Sequence, residues 1–254
     1  MESSIAVGGT DTAKPLNLRK RVEIVSRAVR LPGARVLDAG CGAGEYVLAM
    51  AELGAEAEGI EYVEAKVAEW QASHPGDPRV RRGDLAGLDF PDARFDAVLL
   101  NEVLEHVPDD HRALDELFRV LKPGGTLILF SPNRYHPFET HGVLSKKTGR
   151  NSGFLRTFLL PWVPVAIGAR FVDYWSRNYW PLELRRMVER HGFETASHSY
   201  VWQTFENISG DRPGWVARIV PVARWISATA ERLPFFRRFG VSQLIVARRP
   251  ARAS

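Results

Sequence analysis

Val36-Leu37-Asp38-Ala39-Gly40-Cys41-Gly42-Ala43-Gly44 reads as a buried strand that runs into a glycine-rich turn and opens a helix. Glycine at such a turn lets the backbone approach a ligand closely, because no Cβ intervenes. Glu61 ends the next predicted strand, 21 residues after Gly40. An acidic side chain at that place takes hydrogen bonds from ribose hydroxyls, so the pair points to a nucleotide-like cofactor. The spacing is Gly-x-Gly-x-Gly, with Glu45 where the dinucleotide fingerprint has its third glycine. A carboxylate at the start of that helix repels the pyrophosphate of NAD and favours a ligand without phosphate.

Outward from this stretch, short β-type runs alternate with helical patterns. A helix is expected over Leu16–Arg30, a strand over Ala34–Ala39, a helix over Gly44–Leu53 and a strand over Ala55–Glu61. Helix Glu64–Ala72, strands Val80–Gly83 and Phe95–Leu100, helix His111–Leu121 and strand Gly125–Phe130 follow. This alternation predicts an α/β, Rossmann-like, doubly wound and mostly parallel sheet. The rhythm stops between Arg134 and Tyr179, which shows no clear strand and reads as a helical insertion after the fifth strand. A helix over Pro181–His191, a strand over Glu194–Val201 and a last strand over Val241–Ala247 resume it. A second insertion before that last strand, Trp215–Phe239, is expected to be helical with breaks at Pro221 and Pro234. The organisation expected is a disordered leader over 1–15, a cofactor-binding half over 16–133, an acceptor-covering insertion over 134–180 and a C-terminal part of the same domain over 181–250. Both insertions follow strand C-terminal ends, where open α/β sheets bind ligands.

Charge divides the chain at the same place. The 254 residues carry a net +4, but residues 1–133 hold 15 basic and 22 acidic side chains, and residues 134–254 hold 19 and 8. Six of the seven Trp lie in the basic half, which suits an anionic or amphiphilic partner. Cys41 is the sole cysteine, so no intramolecular disulfide forms and a reducing, cytoplasmic compartment is expected. The apolar run Phe158–Ala169 has 12 residues and two prolines, against the roughly 20 that a membrane-spanning helix needs.

Taken together, these residues resemble the class I S-adenosylmethionine-dependent methyltransferases, and in part those that act in ubiquinone biosynthesis. Asp38 through Gly44 resembles the family's first motif, and the match implies that Gly40 and Gly42 pass beneath the methionine moiety while Asp38 orders the loop. The resemblance further implies that Glu61 holds the ribose, with Tyr62 beside the adenine. Asp84-Leu85 is similar to the turn after the third strand, where Asp84 accepts from the adenine amino group. Asn101-Glu102-Val103-Leu104-Glu105-His106 matches the segment after the fourth strand, and Leu121-Lys122-Pro123-Gly124-Gly125 the turn into the fifth. S-adenosyl-L-methionine is therefore the expected cofactor. Its sulfonium charge suits an acidic half lined by Asp38, Glu61 and Asp84. Cys41, inside the loop, reads as a structural small residue.

Methyl transfer is an in-line displacement in which the enzyme positions the acceptor and, for a hydroxyl, removes its proton. Glu102, Glu105 and His106 share one face of a short helix. Metal ligation and stabilisation of the loop both fit these three, and no metal site is assigned to them. Asn133 to Gly142, after the fifth strand, supplies His136 and His141 as general-base candidates with Glu139 as orienter or second base. The reading is O-methylation of a small-molecule or lipid-linked acceptor under Arg134–Trp180. Peripheral contact with the inner face of the membrane through the basic, aromatic half is a further expectation. The rivals are methylation of RNA or protein, with nucleic acid ranked last for want of an RNA-binding module, and a non-catalytic binding protein of the same fold.

Overall fold

The computed structural model describes residues 15–140, 143–149, 157–205 and 214–251. Residues 1–14 of the expected leader and His141 therefore lie outside the described residues, and Pro15 opens the first helix. The first described element is helix α1 (Pro15–Ala28), followed by β1 (Arg35–Ala39), α2 (Glu45–Glu52), β2 (Glu56–Glu61), α3 (Glu64–Ser73), β3 (Val80–Arg82) and β4 (Phe95–Asn101). After a 3-10 turn at Leu104–His106 come α4 (Asp110–Val120), β5 (Leu121–Pro132), β6 (Val143–Ser145), α5 (Val165–Gly168) and β7 (Val172–Tyr174). The last elements are α6 (Pro181–Arg190), β8 (Glu194–Val201), α7 (Gly214–Arg232) and β9 (Ser242–Arg248).

Among the described residues one sheet holds seven strands in the order β3-β2-β1-β4-β5-β9-β8. The first five are parallel; β9 runs antiparallel to both neighbours. Successive strand side chains point to opposite faces, so an unbroken apolar strand must be covered on both. Leu37, Val98, Leu100, Leu127 and Leu129 pack on one face with Leu114 and Leu117 of α4 and Leu184 and Val188 of α6. Val36, Ala97, Leu99, Ile128 and Phe130 pack on the other with Val25 of α1, Val47 and Met50 of α2 and Trp70 of α3. The expected Rossmann-like, mostly parallel architecture is the one observed.

The order of winding reverses between β1 and β4: β2 and β3 lie on one side of β1, and β4 and β5 on the other. That reversal splays the loops apart and leaves a crevice at the strand C-terminal ends. Because β5 and β8 are both antiparallel to β9, they run the same way. The segments after Pro132 and after Val201 therefore emerge on this same side.

Two expectations for these segments need correction. The stretch 134–179 is not strandless: β6 and β7 pair antiparallel, Val143 with Tyr174 and Ser145 with Val172. Three-residue strands 26 residues apart are too short to show a period of two. Among the described residues its helical content is short: Thr157 and Leu160–Trp162 in 3-10 turns and the four-residue α5. In the second insertion α7 runs through Pro221 without a break and ends at Arg232, before Pro234. A proline in a helix interior removes one backbone donor and need not end the helix.

Candidate active site

The glycine turn sits at the reversal point, tied to β2 by the N–H groups of Gly40 and Cys41, which donate to the Ile60 carbonyl at 2.8 and 2.9 Å. Gly40 has φ +86°, and a Cβ there would stand 2.5 Å from the Val103 side chain. The turn can lie against the segment after β4 only because this residue has no side chain. Glu61, at the end of β2, fastens the turn from the other direction: Oε2 accepts from the Gly42 N–H and Oε1 from the Val63 N–H, both at 2.8 Å. The side chain expected to hold a ribose thus already shapes the loop, and each carboxylate oxygen keeps a second lone pair for a ligand.

Asp38, at the end of β1, is buried, and its Oδ2 has no hydrogen-bond partner. Burial, with the charge of Glu61, pushes its carboxyl up to about 8. Near neutral pH this favours the protonated form of Asp38. An unfolded chain releases this proton in the usual carboxylate range and the folded chain keeps it to about 8, so in that window stability falls as pH rises. Asp38→Asn is expected to flatten the decline in melting temperature between about pH 5 and pH 8. Thermal melts across that range check this, and an unaltered slope in the variant would refute it.

The remaining expected cofactor residues lie around the same crevice. Tyr62 follows Glu61 and is 66% exposed. Asp84 is exposed with Oδ1 accepting from the Ala86 N–H at 2.9 Å, and Leu85 beside it is buried. Asn101 ends β4, where its Oδ1 accepts from Arg21 and its side chain bonds Tyr46. Cys41 is buried, and desolvation together with Asp38 and Glu61 pushes its thiol far up, so it stays a neutral packing group.

Sequence reading missed Arg21. Its guanidinium is buried, stacks 4.7 Å from the Phe130 ring, and donates to Asn101, to Glu102 at 2.9 Å and to Ser242 at 3.2 Å. It joins α1 to the ends of β4 and β9. The available signal was its placement beside Val22 and four residues before Val25, both buried, which puts it on the inward face of α1. Glu102 adopts φ +57° and accepts from Ser242 as well as Arg21. Glu105 is buried; desolvation and the neighbouring Glu102 charge hold its carboxyl well above the usual range. His106 bonds the backbone of Trp175, and burial lowers its pKa. Glu102 and Glu105 thus share a hydrogen bond, while His106 bonds the Trp175 backbone. Among the described residues no group of three or more such ligands is arranged to hold a metal ion.

After β5, Asn133 fastens the two irregular segments together. Its Nδ2 donates to the carbonyls of Arg238 and Gly240 at 2.8 and 2.7 Å, and its Oδ1 accepts from the Tyr135 N–H. His136 is half-buried, with Nδ1 2.8 Å from the Phe239 carbonyl. That contact requires Nδ1–H, which leaves Nε2 with its lone pair in the neutral ring. Burial lowers its pKa and favours this neutral form. Glu139 is buried and accepts from Asn178, so the group that orients His136 is the Phe239 carbonyl. A cleft of about 540 Å³ opens between Glu105–Pro108 and the insertion, with Arg134, Leu160, Tyr174 and Ser176 among its walls.

Comparison with known proteins fits this geometry. Residues 37–129 match the family described as the methyltransferase domain. Over 117 residues, 45% of each chain, the sequence is 40% identical to a probable S-adenosylmethionine-dependent methyltransferase of Mycolicibacterium smegmatis. Over residues 37–129 the chain is therefore similar to a methyltransferase domain. The domain is also similar to the ubiquinone biosynthesis O-methyltransferase of Xanthomonas campestris, 41% identical over 128 residues, 48% of this chain and 53% of that one. The chain spans about half the length of the curated relatives it matches. A solved S-adenosylmethionine-dependent methyltransferase from Mesorhizobium loti superposes with a TM-score of 0.57 at 19% identity, over 89% of this chain and 96% of that one, and so shares the fold. The range matched by the methyltransferase family ends at residue 129, so the insertion and α7 lie beyond it.

Proposed function

We propose that this chain transfers the methyl group of S-adenosylmethionine to a hydroxyl oxygen of a small or lipid-linked acceptor. The observation that carries the cofactor is the unpartnered Oδ2 of buried Asp38 inside a glycine turn shaped by Glu61. A buried carboxyl oxygen without a partner needs an explanation, and a cation whose binding favours the ionised form is one that fits an acidic crevice. S-adenosylmethionine, when bound, supplies an electrophilic methyl group on a sulfonium cation. Gly40 and Gly42 give it a close backbone bed, Glu61 and Asp84 offer acceptors to ribose and adenine, Tyr62 and Leu85 flank the base, and Asn101 closes the β4 side.

For the acceptor, His136 takes the role of general base through Nε2, held by the Phe239 carbonyl. Glu139 keeps the insertion in shape through Asn178, and His141 remains a second candidate by sequence position. A membrane-linked acceptor is supported by Phe158, Trp162, Ile167 and Phe171 of the insertion and by Ile219, Trp225 and Ile226 of α7, all exposed, beside Arg170 and Arg224. Among the described residues no helix is long and apolar enough to cross a membrane.

The test is calorimetric titration with S-adenosylmethionine, followed by transfer of a labelled methyl group to phenols and to matched amines. Saturable binding and transfer to oxygen are expected. His136→Asn, which keeps a donor for Phe239 but removes the base, is expected to lower kcat about a hundredfold with cofactor affinity unchanged. No cofactor binding by the native chain refutes the proposal.

A further inference from the structure

Among its described side chains, α7 buries small residues and exposes large ones. Ser227 and Ala230 are buried against the protein, whereas Ile219, Val222, Trp225 and Ile226 are exposed, Trp225 by 68%. At about 100° per residue these four cover roughly a third of the helix circumference, so they form one apolar stripe turned to solvent. A surface helix of a globular chain points such a stripe at the core, the reverse of what α7 does. Beyond the helix end Leu233, Phe235 and Phe236 are exposed as well, with the two Phe rings edge to face at 5.4 Å. Single exposed apolar residues are ordinary, but seven large ones within residues 219–236 mark an interaction surface.

The charges around the stripe choose the partner. Residues 219–239 hold Arg224, Arg232, Arg237 and Arg238 against one acid, Glu231. Glu231 is matched by Lys20 at 2.6 Å, which leaves the surface positive. Arg232, Arg237 and Arg238 are exposed. A two-fold dimer through this face would set the positive patch against itself, because an isologous interface meets its own copy. An anionic bilayer instead offers phosphates to the guanidinium groups and an acyl boundary to Trp225, Phe235 and Phe236.

We infer that this face of α7, with the Phe235-Phe236 turn, docks the chain on an anionic phospholipid bilayer. No described helix is long and apolar enough to cross one, so α7 lies in the plane of the interface. Asn133, just after β5, holds the carbonyls of Arg238 and Gly240 at 2.8 and 2.7 Å. The turn is thereby tied to the end of the sheet that carries the crevice, and docking brings that end toward the lipid. The inference deepens the proposed reaction and rests on its lipid-linked acceptor, which then reaches the crevice without leaving the membrane.

The probes are vesicles of phosphatidylcholine alone and of phosphatidylcholine mixed with phosphatidylglycerol, co-sedimented with the full chain in the absence of cofactor and acceptor. The mixed vesicles are expected to bind about thirtyfold more tightly, the worth of the Arg237-Arg238 pair near an anionic surface, and to lose that advantage at high salt. Arg237→Gln with Arg238→Gln removes most of the advantage and leaves binding to pure phosphatidylcholine unchanged. Trp225→Ser with Ile226→Ser weakens binding to the mixed vesicles about a hundredfold, through the apolar burial lost from two large side chains. Both double variants melt like the native chain, because all four side chains are exposed. No binding to the mixed vesicles, equal binding to the two kinds by the native chain, or undiminished binding by the Trp225→Ser, Ile226→Ser variant overturns the inference. A dimer that this variant abolishes, in a chain that ignores vesicles, overturns it in favour of a second copy on the same face. Failed methyl transfer with vesicle binding intact counts against the proposed reaction alone.

Discussion

Glu61→Ala is expected to weaken cofactor binding about a thousandfold and to lower the melting temperature by about 5 °C. Glu61 joins the end of β2 to the glycine turn through Gly42 and to the next segment through Val63, at 2.8 Å each. A hydrogen bond to a charged group is worth about 1.5–3 kcal/mol. Losing the Gly42 bond frees a residue held at φ +56°, and losing the carboxylate removes the acceptors for a ribose. Together about 4 kcal/mol of binding energy disappears, which is the thousandfold. The half-buried carboxylate is partly replaced by water in the apo chain, so stability falls by less, about 1–2 kcal/mol, and a chain of this size then melts some degrees lower. Glu61→Gln keeps one acceptor oxygen and should fall between. Calorimetric titration and thermal melts of the three proteins check this. Native-like affinity in Glu61→Ala would sink the assignment of this side chain to the cofactor.

Gly44→Val should cost about 4 kcal/mol of stability, or roughly 10 °C in melting temperature. Gly44 has φ +85°, a conformation that costs an L-residue about 1–2 kcal/mol. Its Cβ would stand 2.5 Å from the Trp70 ring. That ring cannot yield: it is fully buried, stacked on His74 at 4.0 Å and bonded through Nε1 to the Asp77 carbonyl at 3.2 Å. Overpacking against a fixed neighbour adds about 1–3 kcal/mol. Gly42→Ala is the contrast, because a Cβ there meets nothing within 4 Å. It should lose only about 1 kcal/mol of stability, the conformational part, yet lose cofactor affinity on the side left open for the ligand. Denaturant melts and titrations of both variants separate packing from binding; similar stability losses would contradict the assignment.

The parts of the site legible in the sequence are those whose signals are local. Asp38 to Gly44 is one strand and one turn, and Glu61 is found by counting along a single βαβ unit. The boundaries of β1, β2, β4, α4 and α6 follow from periodicity and fall within a few residues of the expected ones. The Arg21 cluster was not legible, because Arg21 meets Asn101 and Glu102 only after sheet order carries β4 beside β1. The short β6–β7 pair left no pattern for the same reason: each strand is stabilised by its partner and not by its own sequence.

The sequence by itself determined that an acidic, glycine-turned α/β half precedes a basic, aromatic one, because hydrophobic period and net charge are properties of the chain. Tertiary structure decided what those charges do. Packing takes water from Asp38 and sets it near the Glu61 charge, which together keep its proton to about 8, and only the closed fold sets Asn133 on the carbonyls of Arg238 and Gly240. His136 likewise acquires its orienting carbonyl from Phe239, 103 residues away. Desolvation and long-range hydrogen bonds depend on which groups the sheet brings together, and no window of residues contains that information.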